Sequence, residues 1–206
     1  VFTAEEVATL TNSRKNDRPD RPGVDPGAYN AHWFDNGQVL PDHRSSQIVE
    51  PPDGRLPLND DGEARVASKS ERRQTRPADS WLDRENWDRC ITYHGVPPVP
   101  TNYNNTYQIL QTPEYVAIHV ENIHDVRIIP LYGRRELDGA IRQWNGNSRG
   151  YWEDDTLVVE TRNYSDQTQL RFLSTPNTRA VERFRRVGSD RIDYQFTVED
   201  DKIYTQ

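Results

Sequence analysis

Methionine is absent from this 206-residue sequence, and cysteine occurs only once. A single thiol excludes an internal disulfide and a zinc site built from several cysteines, so we expect Cys90 to be a buried small hydrophobic residue. An intermolecular bridge is the alternative. Because no initiator methionine is present, we expect that a leader has been removed and that the protein is extracytoplasmic: periplasmic, at the cell surface or secreted. Trimming of the sequence would explain the same observation.

Hydrophobic residues are also scarce, at 33% of the chain, and the mean hydropathy is -1.00. No apolar run reaches the roughly 20 residues of a transmembrane helix, so no transmembrane segment is expected. The net charge of -7 argues against a nucleic-acid partner. One basic cluster is present, and because acids flank it we expect a solvated helix face. Its members are Arg65, Lys69, Arg72, Arg73 and Arg76.

The apolar residues that are present lie mostly in the back half, where short β-branched and aromatic runs alternate with turn signals. This pattern predicts a mainly β fold, an antiparallel meander that forms a sandwich or a small lipocalin-like barrel. The predicted strands are Tyr107–Gln111, Tyr115–Glu121, Val126–Leu131, Tyr151–Glu153, Thr156–Thr161, Thr178–Val187 and Arg191–Val198.

The front half is irregular and rich in proline, and it carries two predicted short helices. A capping box over Thr3–Glu6 predicts a helix from Ala4 to about Ser13, and Asn59 or Asp60 predicts a helix cap followed by helix to about Arg73. One strand is predicted at Ser46–Val49. The expected organisation is a polar arm at 1–28, a Pro-rich segment at 29–106 that wraps the sheet, and a β domain at 107–206.

Several segments carry a resemblance to a known family: YNAHW, IVEPPDGRLPL, YNNTYQILQTPEYV, ENIHDVRIIPLYG, RQWNGNSRGYWEDDTLVVET and VERFRRV. With them the chain resembles a large family of uncharacterised secreted bacterial proteins. The resemblance implies a shared β-rich fold and export, and no particular reaction. The chain departs from the family pattern at Asn147, where relatives carry Asp, and at Asp154, where they carry Gly.

The best metal-like constellation is His119, Glu121, His124 and Asp125. His119 and Glu121 share one face of a strand, and the other two can return from the following turn. Imidazole with carboxylate suits zinc. The alternative is that Arg127 on the next strand forms a salt bridge with Glu121 or Asp125. Weak calcium sites are a further candidate, at the acidic stretches 59–63 and 199–201.

Catalysis has two candidate patterns. Gly146–Gly150 matches G-x-S-x-G, but a nucleophile elbow needs a following helix, so we expect a hairpin loop with Ser148 as a turn residue. Charged residues at one end of the sheet are the second pattern, as an acid–base set. These are Glu153, Asp155, Arg149 and Arg127. For an enzyme, His119, Glu121 and Arg149 are the predicted catalytic residues.

The leading functional hypothesis is a non-enzymatic assembly or binding subunit whose partners are copies of itself, joined in a fibre-like manner through the N-terminal arm. The alternative is a periplasmic or secreted lyase or hydrolase that acts on a carbohydrate or aromatic compound at one mouth of the β domain. A binder that holds a small ligand in the barrel interior is the third hypothesis. The Trp and Tyr residues are a separate candidate, as a platform for a sugar or an aromatic compound, and roles in the core or in anchoring the arm are the alternative for them. No cofactor is predicted apart from the weak calcium or zinc sites.

Overall fold

The computed structural model describes residues 1–15, 37, 39, 42–76, 78–93, 95–101, 104–132, 137–168 and 173–206. It confirms the predicted mainly β fold with two short α-helices. None of the described helices has the length and apolar character that crossing a bilayer requires. The chain divides into two compact units: one is Val1–Leu56 with Pro100–Asn105, and the other is Pro57–Val99 with Thr106–Gln206. Residues 16–28 of the predicted arm at 1–28 lie outside the described residues.

In the first unit, helix α1 (Ala4–Lys15) begins with the predicted capping box. Thr3 Oγ1 accepts from the Glu6 amide at 3.2 Å, and the Glu6 carboxylate accepts from the Thr3 amide at 2.7 Å. The predicted strand Ser46–Val49 is wrong, since this segment has irregular structure. The Ser46 hydroxyl donates to the Gly54 carbonyl and accepts from the Ile48 amide, and such local bonds compete with strand pairing.

The second unit contains both sheets, and every pair of neighbouring strands is antiparallel. Sheet 1 has the order β1-β2-β3 and sheet 2 the order β4-β5-β6-β7, as a meander predicts. The strands are β1 (Tyr107–Gln111), β2 (Tyr115–Val120), β3 (Val126–Pro130), β4 (Asn147–Glu153), β5 (Thr156–Arg162), β6 (Arg179–Arg186) and β7 (Ile192–Glu199). These described strands do not close into a barrel, so the barrel alternative is wrong.

The main hydrophobic core joins the inner faces of both sheets. It consists of Val116, Ile118, Ile129, Leu131, Leu157 and Val159. Gly150 of β4 forms an isolated bridge with Leu131, which follows β3, so the two sheets are close together at this point. A Cβ at Gly150 would lie 2.9 Å from Leu131 Cδ2 and 3.0 Å from Ile129 Cγ2, so the absence of a side chain permits this packing.

Helix α2 (Asp60–Thr75) belongs to the second unit and has Asn59 as its N-cap. The Asn59 side chain accepts from the Gly62 amide at 2.9 Å, which satisfies one of the unpaired donors of the first turn. The C-terminal segment packs on this end of the helix: Ile203 is fully buried, and its carbonyl accepts from the Asn59 amide at 2.9 Å. Acidic residues in the first turn and arginines in the last turn complement the helix dipole.

Candidate functional site

The four predicted metal ligands do not converge. His119 lies on the outer face of sheet 1, because Val116 and Ile118 of the same strand face the core. Glu121 and His124 lie in the turn after β2, where the Glu121 carboxylate accepts from the Thr106 amide at 3.3 Å. Asp125 accepts from Asn145 Nδ2 at 2.6 Å. Within the described part of the chain, no group of three His, Cys, Asp or Glu side chains is placed to hold a metal ion.

Arg127 does not pair with Glu121 or Asp125, so that alternative is wrong. It is aligned with Ile118 across β2 and β3 and therefore faces the core, whereas Glu121 and Asp125 lie in the turn. Its partner is Glu182 of β6, which is 55 residues further along the chain. Arg127 Nη1 donates to Glu182 Oε1 at 3.0 Å, and Nη2 contacts Glu182 Oε2.

Both charged side chains are buried, with 8% of Arg127 and none of Glu182 exposed. The guanidinium also donates to Ser148 Oγ and to Thr161 Oγ1, each at 2.8 Å. Tyr194 donates its hydroxyl to Glu182 Oε1 at 2.8 Å. We call these five residues the buried polar cluster. Arg127 of sheet 1 bonds directly to residues of β4, β6 and β5, and Tyr194 adds β7, so the cluster links sheet 1 to all four strands of sheet 2.

Electrostatics in the cluster favour the ion pair. Burial by itself lowers the pKa of Arg127, but the charge of Glu182 and the hydrogen bonds to it have the larger combined effect and raise that pKa. Burial, followed by the charge of Glu182, raises the pKa of Tyr194. The phenol therefore stays protonated and can only donate to the carboxylate at neutral pH. The arrangement keeps Arg127 charged and Tyr194 protonated, which suits a structural role.

The prediction that Ser148 is a hairpin-loop residue is wrong. Ser148 lies in β4 with 5% of its surface exposed, and its hydroxyl forms a hydrogen bond with Thr161 Oγ1 at 2.9 Å. Strand β4 continues after it, so the helix that a nucleophile elbow requires is absent at this position. The loop ends earlier, at Gly146, whose positive φ of 67° turns the chain into the strand.

Three of the four predicted acid–base residues lie on the outer face of sheet 2 or at its β4–β5 hairpin, namely Arg149, Glu153 and Asp155, whereas Arg127 belongs to the buried polar cluster. Arg149 is aligned with Glu160 on β5, whereas His119 belongs to sheet 1. Glu153 pairs with Arg183 at 2.5 Å, and Asp155 pairs with Arg185 at 3.3 Å. The hydrogen bond from Arg183 lowers the pKa of Glu153. A general acid needs the opposite shift. The assignment of His119, Glu121 and Arg149 to catalysis stays a prediction.

Three of the candidate calcium residues, Asn59, Glu199 and Asp200, have close partners within the protein. Asn59 caps α2. Asp200 is buried, and its Oδ2 accepts from the Thr175 amide, the Thr175 hydroxyl and the Thr178 hydroxyl at 2.9, 2.8 and 2.6 Å. Glu199 pairs with Arg179 at 2.9 Å. A carboxylate with this many donors holds the turn before β6 against the end of β7.

The single cysteine and the tryptophans differ in how far they are exposed to solvent. Cys90 is exposed and has a positive φ of 53°, so the prediction of a buried cysteine is wrong. Trp81 and Trp87 are 61% and 47% exposed, in contrast to Trp152, which packs against the main core. Trp87 and residues of α2 line the same surface groove.

Comparisons with family models, curated proteins and solved structures gave no match for this chain.

Proposed function

We propose that this protein is a non-enzymatic, extracytoplasmic assembly subunit that binds a second copy of itself through the outer face of sheet 1. The observation that supports this is a row of apolar side chains across that face. The register of the three strands aligns Leu110, Ala117 and Ile128. Val126 lies on the same face of β3, two residues before Ile128. Leu110, Val126 and Ile128 are 52%, 48% and 53% exposed.

The chemistry of this face favours a copy of the same chain. Its residues are Gln108, Leu110, Tyr115, Ala117, His119, Val126, Ile128 and Pro130, and none of them is Asp, Glu, Lys or Arg. An uncharged face on a chain with 29% charged residues needs an uncharged partner surface. The same face on a second copy meets that need, and a two-fold axis makes such a contact self-complementary.

The edge of the sheet points to the same partner. Strand β1 is an edge strand within the described part of the chain, and its sequence YQILQ contains no charge and no proline. Natural edge strands are usually protected by lysine, proline or a bulge, because an open edge pairs readily with another chain. A two-fold contact closes as a dimer, so growth into a fibre requires a second contact, and the predicted arm is our candidate for it.

Sedimentation velocity across a range of protein concentrations tests the proposal. Ile128→Lys places a charge in the middle of the face, and it occurs twice in a symmetric dimer. Burial of one Ile side chain is worth about 1.5–3 kcal/mol, so we expect dissociation to become easier by at least roughly tenfold. Ile141→Lys is the matched control, since Ile141 is 49% exposed and lies outside the sheets.

The proposal fails if the unsubstituted chain stays monomeric at every concentration, or if both lysine variants associate as the parent does. Far-UV circular dichroism of the variants checks that each is folded, so that lost association is assigned to the face itself. Leu110→Lys should behave as Ile128→Lys does, because Leu110 lies in the same row.

A further inference from the structure

A groove in the second unit has a charge opposite to that of the whole chain. It has a volume of about 660 Å³ and is lined by α2 and by residues within 82–88, 166–168 and 173–174. Among the described residues, six cationic side chains line it: Arg65, Lys69, Arg72, Arg73, Arg76 and Arg84. The lining includes four carboxylates: Asp83, Glu85, Asp88 and Asp166. Six positive charges against four negative ones give the groove a net charge of +2, whereas the chain carries -7. We call it the basic groove.

The spacing of the helical cations explains why they line one surface. Arg65, Lys69 and Arg72 follow at intervals of four and three residues, which places them on a single face of α2, and Arg76 is the C-cap at the end of this row. The distance from the first to the last is about 17 Å at 1.5 Å per residue. The result is a positive wall of a length that suits an extended ligand rather than a single small ion.

Part of this charge is already compensated inside the protein. Asp83 accepts from Arg72 at 2.5 Å and lies 4.0 Å from Arg76, and Glu85 pairs with Arg73. Among the described residues, Arg65, Lys69 and Arg84 have no ion pair. These three cations are therefore the ones that can bind an external anion without losing a carboxylate partner.

Lys69 has the least favourable surroundings of the three. Lys69 is exposed at the surface, but the protein atoms around it partly desolvate its ammonium group and lower its pKa, and the charge of Arg73 one helical turn away lowers that pKa further. An anion bound at this point would relieve both effects, since it would neutralise the repulsion and replace the lost hydration. The position of Lys69 in the middle of the wall makes it the best place for a test.

The lining of the groove also includes an aromatic side chain, Trp87. Trp87 is 47% exposed, and its indole N–H donates to Glu85 Oε2 at 3.0 Å. Its ring is also held edge-on against Tyr93, with centroids 6.5 Å apart. A ring that is fixed at its edge and open to solvent offers a flat apolar platform close to the cations.

We propose that the basic groove binds an acidic oligosaccharide. Acidic groups of the sugar would lie on Arg65, Lys69 and Arg84, and a sugar ring would stack on Trp87. Arginine forks bind carboxylate and sulfate in a bidentate manner, and lysine contributes a point charge. Nucleic acid is disfavoured, because its dense charge would meet the four carboxylates in the groove and the negative field of the whole chain. This inference is independent of self-association through sheet 1.

Isothermal titration calorimetry of the full chain, at low and at physiological salt, tests the proposed binding of an acidic sugar. Three sugar probes are used, with single-stranded DNA for comparison. The probes are alginate oligosaccharides, which carry carboxylates, dextran sulfate, which carries sulfate esters, and neutral dextran. We expect heat with one or both acidic probes, weaker binding at higher salt and none with dextran. Tighter binding of alginate identifies uronates as the ligand, and tighter binding of dextran sulfate identifies sulfated sugars.

Two variants with the same change in net charge locate the site. Lys69→Glu should weaken binding of the acidic probe at least about tenfold, which corresponds to roughly 1.4 kcal/mol. Lys202→Glu is the matched control, since Lys202 is 59% exposed and does not line the groove. We expect it to change the affinity less than about twofold, because the mobile ions of physiological salt screen charges beyond roughly 8 Å. Trp87→Ala should weaken the binding of both acidic probes. Circular dichroism checks the folding of each variant.

Four results would overturn the inference. They are the absence of heat with both acidic sugars, equal binding of neutral dextran, an unchanged affinity in folded Lys69→Glu, and tighter binding of single-stranded DNA than of either acidic sugar. The last result would identify the groove as a nucleic-acid site instead.

Discussion

The buried ion pair between Arg127 and Glu182 makes the sharpest prediction about stability. Arg127→Met removes the guanidinium while keeping much of the side chain's length and apolar volume. Glu182, which has no exposed surface, then retains Tyr194 as its only remaining donor in the cluster. Removing one partner of a buried pair costs about 3–5 kcal/mol, because the other charge stays buried without compensation. Ser148 and Thr161 are less affected, since their hydroxyls bond each other.

This cost is large beside the total stability of a domain, which is roughly 5–15 kcal/mol. For a chain of this length it corresponds to a fall in the melting temperature on the order of 10 °C. Urea unfolding followed by circular dichroism measures the free energy of unfolding directly, and the slope of the transition shows whether the unfolded reference has changed. The control is Arg185→Met on the same strand as Glu182. Its ion pair with Asp155 is about 60% exposed on both sides, so we expect a change within about 0.5 kcal/mol.

A double variant separates the pair from mere loss of packing. Glu182→Gln in the Arg127→Met background removes the uncompensated charge and keeps an acceptor for the Tyr194 hydroxyl. We expect it to recover most of the lost stability, because a buried pair replaced by neutral groups of similar volume is often neutral in free energy. If Arg127→Met costs less than about 1 kcal/mol, or if the second substitution adds to the loss, the guanidinium is solvated and our account of the cluster is refuted.

Two smaller predictions concern the outer face of sheet 2 and the start of α2. The hydrogen bond from Arg179 lowers the pKa of Glu160 from 4.5 to about 2. Glu160 therefore stabilises the fold above pH 4.5, and this contribution is lost as the pH falls toward 2. We expect Glu160→Gln to flatten the acid limb of a curve of stability against pH, and an unchanged limb would contradict the assignment. Gly62→Ala should lower the melting temperature, because a Cβ would lie 2.6 Å from the Ile203 carbonyl oxygen. This clash opposes the helix propensity of alanine, which is more favourable than that of glycine by about 1 kcal/mol. A higher melting temperature would show that the C-terminal segment moves to make room for the Cβ.

The strands were predictable because each is short, bounded by turn residues and marked by alternation. β1 matches the predicted bounds, and β6 (Arg179–Arg186) differs from its prediction by one residue at each end. Both α-helices begin where their capping residues indicate, at Thr3 and Asn59. The strand predicted at Ser46–Val49 failed because propensity says nothing about a hydroxyl that bonds to the backbone eight residues away. Local signals identify elements well when the elements themselves are local.

The buried polar cluster was not predicted, and the reason is register. Sequence reasoning paired Arg127 with acids next to it in the chain, whereas the sheets bring it to Glu182. A signal was present: Glu182 lies between Ala180 and Phe184 on the face of β6 that alternation assigns to the core. A carboxylate on such a face requires a buried cation or donor. The identity of that cation depends on how two sheets pack, which the pattern of one strand does not contain.

The two sheets of this chain provide an internal comparison for the assembly proposal. The outer face of sheet 2 carries ion pairs across its strands, such as Arg179 with Glu160 and Glu199, at 2.8 and 2.9 Å. Exposed pairs of this kind contribute little stability, with a median of about 0–1 kcal/mol. They do keep the face of a sheet hydrated, and this hydration disfavours stacking against another sheet. The outer face of sheet 1 lacks such pairs and presents Leu110 and Ile128 instead. Two sheets in one chain share the same solvent, so a difference in their outer faces indicates a difference in what covers them. If sheet 1 had no partner, the charges that protect sheet 2 would be needed there as well. Substitution of Leu110 or Ile128 by lysine should then improve solubility without altering any assembly, and that outcome would refute the proposal.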